Sequence, residues 1–185
     1  MTKRVSVLHI PKGGIQHLDS QGNLLWTNDE QIDNLLHDEG EQAILSAFFA
    51  TNYSGYGAPP ANLYLGLDAR VALAEADTLA SLTGEPVGNG YARIALSTAG
   101  TGVAGQDFVI SQPVASYQAL SKEIIFVGET AIWGVVTNMF LCTSSAVAND
   151  SGKKLISSLP LSQSRTLGVG DSLKVSIITS LAETV

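Results

Sequence analysis

The chain is short of charge, nearly free of cysteine and without a long uninterrupted apolar run, and each shortage closes off a class of function. Charged residues make up 15% of its 185 positions, against about 25% in an ordinary soluble domain. The surface must therefore be built largely from Ser, Thr, Asn, Gln, Gly and Ala, which suits a protein packed against other subunits. Lys and Arg number 10 against 17 Asp and Glu, a formal net charge of -7. Such a balance gives no electrostatic drive toward a phosphate backbone, so nucleic acid is excluded as a partner. The adjacent cations Lys3-Arg4 and Lys153-Lys154 read as solvated strand ends.

One cysteine, Cys142, rules out an internal disulfide framework and a thiolate metal cluster. It lies in an apolar run and is expected to be a buried, inert thiol. The most apolar window, from Ile124 to Cys142, is broken by Glu129, Thr130 and Asn138. A spanning helix needs about 18 nearly uninterrupted apolar residues, so no membrane span is expected. The opening MTKRVSVLHIPKGG is interrupted by Ser6, His9 and Pro11 and does not read as a signal peptide. Without one, the sequons at Asn52 and Asn149 carry no weight.

What is present organises into three zones. Residues 1–26 read as an extended N-terminal arm, with alternation at Val5 and Val7, a break at Gly13-Gly14 and a turn at Ser20–Asn23. It has too few apolar residues to fold alone, so it should pair with the body or with a neighbouring chain. Residues 27–61 read as one amphipathic helix and a connector. Thr27-Asn28-Asp29-Glu30 has the form of a capping box, followed by a stripe of Ile32, Leu35, Leu36, Ala43, Ile44, Phe48 and Phe49 broken near Gly40. Pro59-Pro60 ends the connector.

Residues 62–185 read as strands: LYLGL, YARIALS, DFVI, EIIFV, AIWGVVTNMFLC, KLISS and SLKVSIITSL, separated by turn residues. The last alternates Leu173, Val175 and Ile177 against Ser172, Lys174 and Ser176, as a half-buried antiparallel strand does. The run 131–142 is apolar on both faces and is expected to be a central strand, covered twice or meeting another subunit. ALAEADTLASLTG is expected to form a short helix capped by Asp77 and stopped by Gly84. The expected fold is mainly β: an antiparallel β-sandwich of jelly-roll or Greek-key type.

Several motifs carry a nominal chemistry. Gly100, Gly102 and Gly105 have the G-x-G-x-x-G spacing of a dinucleotide fingerprint. That fingerprint needs its last glycines to open a helix facing the pyrophosphate, with an acidic residue ending the next strand. Here QDFVISQPV follows, which favours a strand, and Glu123 begins its run rather than ending it. A glycine turn is expected, and a dinucleotide enzyme is the poorer hypothesis. Ser151-Gly152-Lys153-Lys154 matches S-x-x-K but lacks its companion elements. A turn over Asn149–Gly152 is expected instead.

His9, His17 and His37 have no zinc spacing. Glu39 with Glu41, and Glu75 with Asp77, are expected to be solvated rather than acid and base pairs. No catalytic, cofactor or metal residue follows from these patterns, and no cofactor is expected.

The most informative stretch is Gly84-Glu85-Pro86-Val87-Gly88-Asn89-Gly90-Tyr91-Ala92-Arg93, where Asn89-Gly90 is a tight-turn signal. It resembles a segment of small structural proteins of tailed bacteriophages, in which a stretch like GEPSGNGYAR begins the main strand region. The surrounding order is also similar: Asp38-Glu39-Gly40-Glu41, Leu63–Leu67, Ile124-Ile125-Phe126, Ala131–Gly134, Ser151–Leu155 and Val169–Leu173, together covering roughly residues 35–181.

The resemblance implies a non-enzymatic virion component, assembled in the host cytoplasm. The expectation is a capsid decoration or cement protein stabilising the head shell. Its expected partners are the major capsid protein or other virion subunits, with self-association as a dimer or trimer. The alternatives are a tail, neck or fibre-base subunit, or a receptor- or carbohydrate-binding sandwich using Tyr53, Tyr56 or Trp133.

Overall fold

The computed structural model describes residues 8–49, 60–71, 73–112, 117–146 and 153–180. Among them the chain is mainly β, with three antiparallel sheets, one helix and one 3-10 turn. The first sheet holds β1 (Leu8–Ile10), β4 (Ile32–Asp33), β8 (Phe108–Ser111), β9 (Gln118–Ser121) and β14 (Ile178–Ser180), in the order β4-β1-β14-β9-β8. The second holds β2 (Ile15–Leu18), β3 (Leu24–Thr27), β10 (Ile124–Val127) and β13 (Ser172–Val175), in the order β10-β13-β2-β3. The third holds β5 (Leu35–Leu36), β6 (Asn62–Asp68), β7 (Ile94–Ser97), β11 (Val136–Cys142) and β12 (Leu155–Arg165), in the order β5-β12-β11-β6-β7.

The segment expected as an arm pairs within the chain itself. From residue 8 onward it supplies β1, which pairs with β14, and β2, which pairs with β13. Residues 1–7 lie outside the described region.

The run SLKVSIITSL is two strands, not one. The chain leaves β13 at Val175, crosses at Ser176 and Ile177, and enters β14 in the other sheet. The crossing is tied by Ser176 N donating to Gly14 O at 3.0 Å, and by Ile177 N donating to Ser121 Oγ at 3.0 Å. The segments β1–β2 and β9–β10 cross at the same level, so the first two sheets are three chain segments bent around a common corner. The alternation survives the bend, because Leu173, Val175 and Ile177 are all buried. A sequence period of two reports the buried face but not the corner.

The expected helix start is also corrected. Thr27 ends β3 and its hydroxyl donates to Ile15 O at 2.7 Å. Asn28, fully buried, accepts from Ile15 N and donates to Pro11 O and Glu30 O, each at 2.8 Å. The residues of the apparent capping box thus find partners across the chain, which outcompete the local cap. Ile32 and Leu35-Leu36 fall in β4 and β5, and helix α1 runs Asp38–Phe49. Asp38, Glu39 and Glu41 lie in its first turn, where acidic groups meet the positive end of the helix dipole. Gly40 does not split the helix; it sits in that first turn against the Ile156 carbonyl.

The third sheet is covered on both faces, as its apolar central strand β11 suggested. Leu65, Leu67, Met139 and Leu141 enter the main core with residues of the other sheets. On the opposite face Phe140, Cys142 and Leu155 pack with Leu79 and Leu82. Those leucines belong to the stretch expected as a helix, whose described residues 73–84 contain only the 3-10 turn Leu79–Ser81, preceded by Thr78 rather than capped by Asp77. β9 was not anticipated, because Gln118–Ser121 has no β-branched residue.

Candidate functional site

The stretch 84–93 forms a buried polar cluster. Asn89 and Gly90 have φ of 53° and 81°, and Tyr91 N donates to Gly88 O at 2.9 Å, a tight turn of the type that asparagine-glycine favours. The turn folds Glu85 and Arg93 onto each other. Arg93 Nε and Nη2 donate to the two Glu85 carboxylate oxygens, each at 2.8 Å, and the side chains are 0% and 1% exposed. Arg93 Nη1 reaches the Ser144 carbonyl at 3.0 Å and the Cys142 sulfur at 3.5 Å, and the guanidinium lies 5.2 Å from the Phe140 ring centre. Each of the three guanidinium nitrogens therefore has a partner.

Tyr91 extends the cluster into β6. Its hydroxyl donates to Glu85 Oε1 at 2.8 Å and accepts from Leu67 N at 2.9 Å. Burial first, then the Glu85 charge, pushes the phenol above its ordinary pKa. Trp133 meets the Tyr91 ring edge-on at 5.2 Å and donates from Nε1 to Asn89 O at 2.9 Å. Trp133 is 3% exposed, so it cannot serve as the sugar platform considered for it. Tyr53 and Tyr56 lie outside the described residues.

Burial pushes the Cys142 thiol up to about 11, against the opposing pull of Arg93. The expectation of an inert thiol agrees with that environment. This cluster is a brace: its charges and nucleophile face one another, out of solvent.

The remaining candidates resolve into structural roles. Gly100, Gly102 and Gly105 lie between β7 and β8, with φ of 77° at Gly102 and 88° at Gly105. The chain after Gly105 enters strand β8 rather than a helix, so the backbone amides of a pyrophosphate site are not assembled. With Phe108, Ile110 and Ala119 the loop borders an open apolar hollow of about 280 Å³. Ser151 and Gly152, and the turn expected over Asn149–Gly152, lie outside the described residues.

Glu39 is not a solvated surface acid as expected. It accepts from Leu155 N at 3.0 Å and Leu79 N at 3.4 Å, and pairs with Lys154 Nζ at 3.3 Å, tying α1 to β12 and the 3-10 turn. Asp77 pairs with Arg70 at 3.1 Å. His37 is fully buried, with Nδ1 donating to Glu75 O at 3.3 Å and Nε2 accepting from Ser158 Oγ at 3.0 Å. The carbonyl can only accept, which places the ring proton on Nδ1. His17 is buried with Nε2 3.4 Å from Asp171 Oδ2. Among the described residues no three His, Cys, Asp or Glu side chains stand together as a metal set, and no helix is long and apolar enough to cross a membrane.

Inside this β-rich body the charges of the 84–93 cluster close on one another. Residues 36–181 match the family described as Podophage GP4 fiber I protein gp80. That match spans most of the chain, and the chain belongs to this family. It is a phage structural protein and a component of the virion. The family's description is of a fibre, which fits the alternative of a tail or fibre subunit better than the leading expectation of capsid decoration. No match was found among curated proteins. The family region begins at Leu36 and so takes in α1, the 84–93 brace and β13, but not β1–β4.

Sequence reasoning found the importance of 84–93 but not its role. One signal was available: Glu85 and Arg93 are the only charged residues between Asp77 and Asp107. Two opposite charges isolated in a neutral stretch on either side of a tight turn favour a pair over two solvated groups.

Proposed function

We propose that the chain is a tail-fibre structural subunit that works without catalysis, holds its place through contacts with other virion proteins, and self-associates. The family match across residues 36–181 carries this reading. The engagement of Glu85, Arg93, Tyr91 and Cys142 with one another supports the absence of a catalytic role. The three antiparallel sheets sharing one large core support a bent sandwich as the body.

Gold-labelled antibody against this chain, imaged on intact particles, is the direct test. Label confined to the fibres, together with particles of normal heads but missing fibre mass when the chain is deleted, supports the reading. Label distributed over the head shell returns the protein to decoration. Light scattering of the purified chain checks self-association, and a monomer at micromolar concentration counts against it.

A further inference from the structure

At one end of the molecule four loops meet: 19–23, 85–91, 128–135 and 167–171. Trp133 Nε1 donates to Asn89 O, Trp133 N to Leu167 O at 3.0 Å, and Gly170 N to Gly128 O at 2.6 Å. Gly170 in turn packs against Ser20. Backbone bonds and the buried Trp133 therefore hold this surface rigid, which keeps the ordering cost of docking low.

Its outward residues are not those of a solvated end. Val87 is 74% exposed, Ile132 63%, Val135 50% and Val169 54%. Branched apolar side chains on three of these adjoining loops make a patch that is costly to leave in water.

The charge around the patch has one sign. The four loops contain Asp19, Glu85, Glu129 and Asp171 and no Lys, Arg or His. Glu85 is neutralised by Arg93, and Asp171 has His17 nearby. Asp19 accepts from neutral donors, Asn23 Nδ2 first, then Asn23 N and Gln21 N, bonds that hold its carboxyl below the usual range. Glu129 lies against Gly90. The neighbouring cation Arg165 is engaged over the Trp26 ring at 4.3 Å.

We infer that this loop end is a docking surface for a different virion protein that presents Lys or Arg around an apolar patch. A second copy fits poorly. End-to-end symmetry would set the same anions against each other, and a chain of net charge -7 has few cations to offer in a head-to-tail contact. The inference rests on the virion reading only for the origin of the partner.

The test places the photo-crosslinking residue p-benzoylphenylalanine at Val87, Ile132 or Val169 in chains assembled into virions. Val103, 57% exposed on the glycine loop beyond β7, is the comparison site. Irradiation is expected to give a covalent adduct with a second virion protein from the loop positions and not from Val103. Adducts only with another copy of this chain, none at all, or the same adduct from Val103 overturn the proposal.

In parallel, Ile132→Glu and Glu129→Lys are each expected to lower incorporation into particles at least tenfold with thermal unfolding unchanged. Unchanged incorporation overturns the proposal while leaving the fibre reading intact. Absence of the unsubstituted chain from purified virions overturns both.

Discussion

Arg93 grips Glu85 through two parallel hydrogen bonds of 2.8 Å in a setting from which both side chains are excluded from water. Burying two charges is expensive, and the pair holds only because Tyr91, Ser144 and each other's atoms replace the lost water. Removing one partner leaves the other charge buried alone. Arg93→Met is expected to lose about 3–5 kcal/mol of unfolding free energy, measured by urea denaturation. The double variant Glu85→Leu/Arg93→Met should lose less than the sum of the single changes. Strict additivity would mean that the pair is not coupled.

His37 makes stability depend on pH. Burial lowers its pKa below 6.5, opposed by the charges of Asp77, Glu39 and Asp38. The unfolded chain therefore takes up the proton more readily than the folded one. The contribution of His37 is complete above about pH 6.5 and is lost as pH falls from there toward its lowered folded value, with a slope of at most about 1.4 kcal/mol per pH unit. Asp68, whose carboxyl is raised by burial, acts with the opposite sign at more acidic pH: its contribution is complete below 3.8 and is lost as pH rises through its raised folded value. Denaturation curves between pH 7.5 and 5 should be steeper in the parent than in His37→Gln, the remaining slope coming from His9, which burial also lowers.

Gly66 in β6 faces the Phe140 ring so closely that a Cβ would overlap it. Gly66→Ala is expected to cost about 1–3 kcal/mol through overpacking. Combination with Phe140→Leu should recover part of that loss. If the double variant is merely the sum of its parts, the ring is not what fills the space.

Cys142, with its thiol pushed up to about 11 and buried against Arg93 and Ser144, should resist thiol reagents in the folded protein at pH 8. One thiol per chain should react promptly in denaturant. Rapid reaction of the native protein would contradict the burial.

Gly105 leads into β8, so millimolar NAD should leave the melting temperature unchanged. A ligand at about 100 times its dissociation constant adds about 2.7 kcal/mol. A binding event of that strength would be plain in a thermal scan.

The strand-rich body was legible because β-branched runs and turn residues act locally. The burial of β11 on both faces could be read from the run 131–142, which is apolar on both faces apart from Thr137 and Asn138. The turn at Asn89-Gly90 was equally legible, as left-handed conformations are a property of those residue types. The helix start was not, because Thr27 and Asn28 satisfy a local capping pattern yet bond to Ile15 and Pro11. Glu39 reads as surface until β12 brings Lys154 and Leu155 N to it.

By itself, then, the sequence determined the residue classes: a neutral, β-rich chain of net charge -7 with an apolar central strand and a marked segment at 84–93. Only the tertiary structure decided what those residues do. It bent 172–180 into two sheets, closed Arg93 on Glu85, and gathered four distant loops into one apolar, acidic end. The physical reason is that propensity and periodicity are set by neighbours in the chain, whereas an ion pair, a sheet corner and a docking surface are set by neighbours in space.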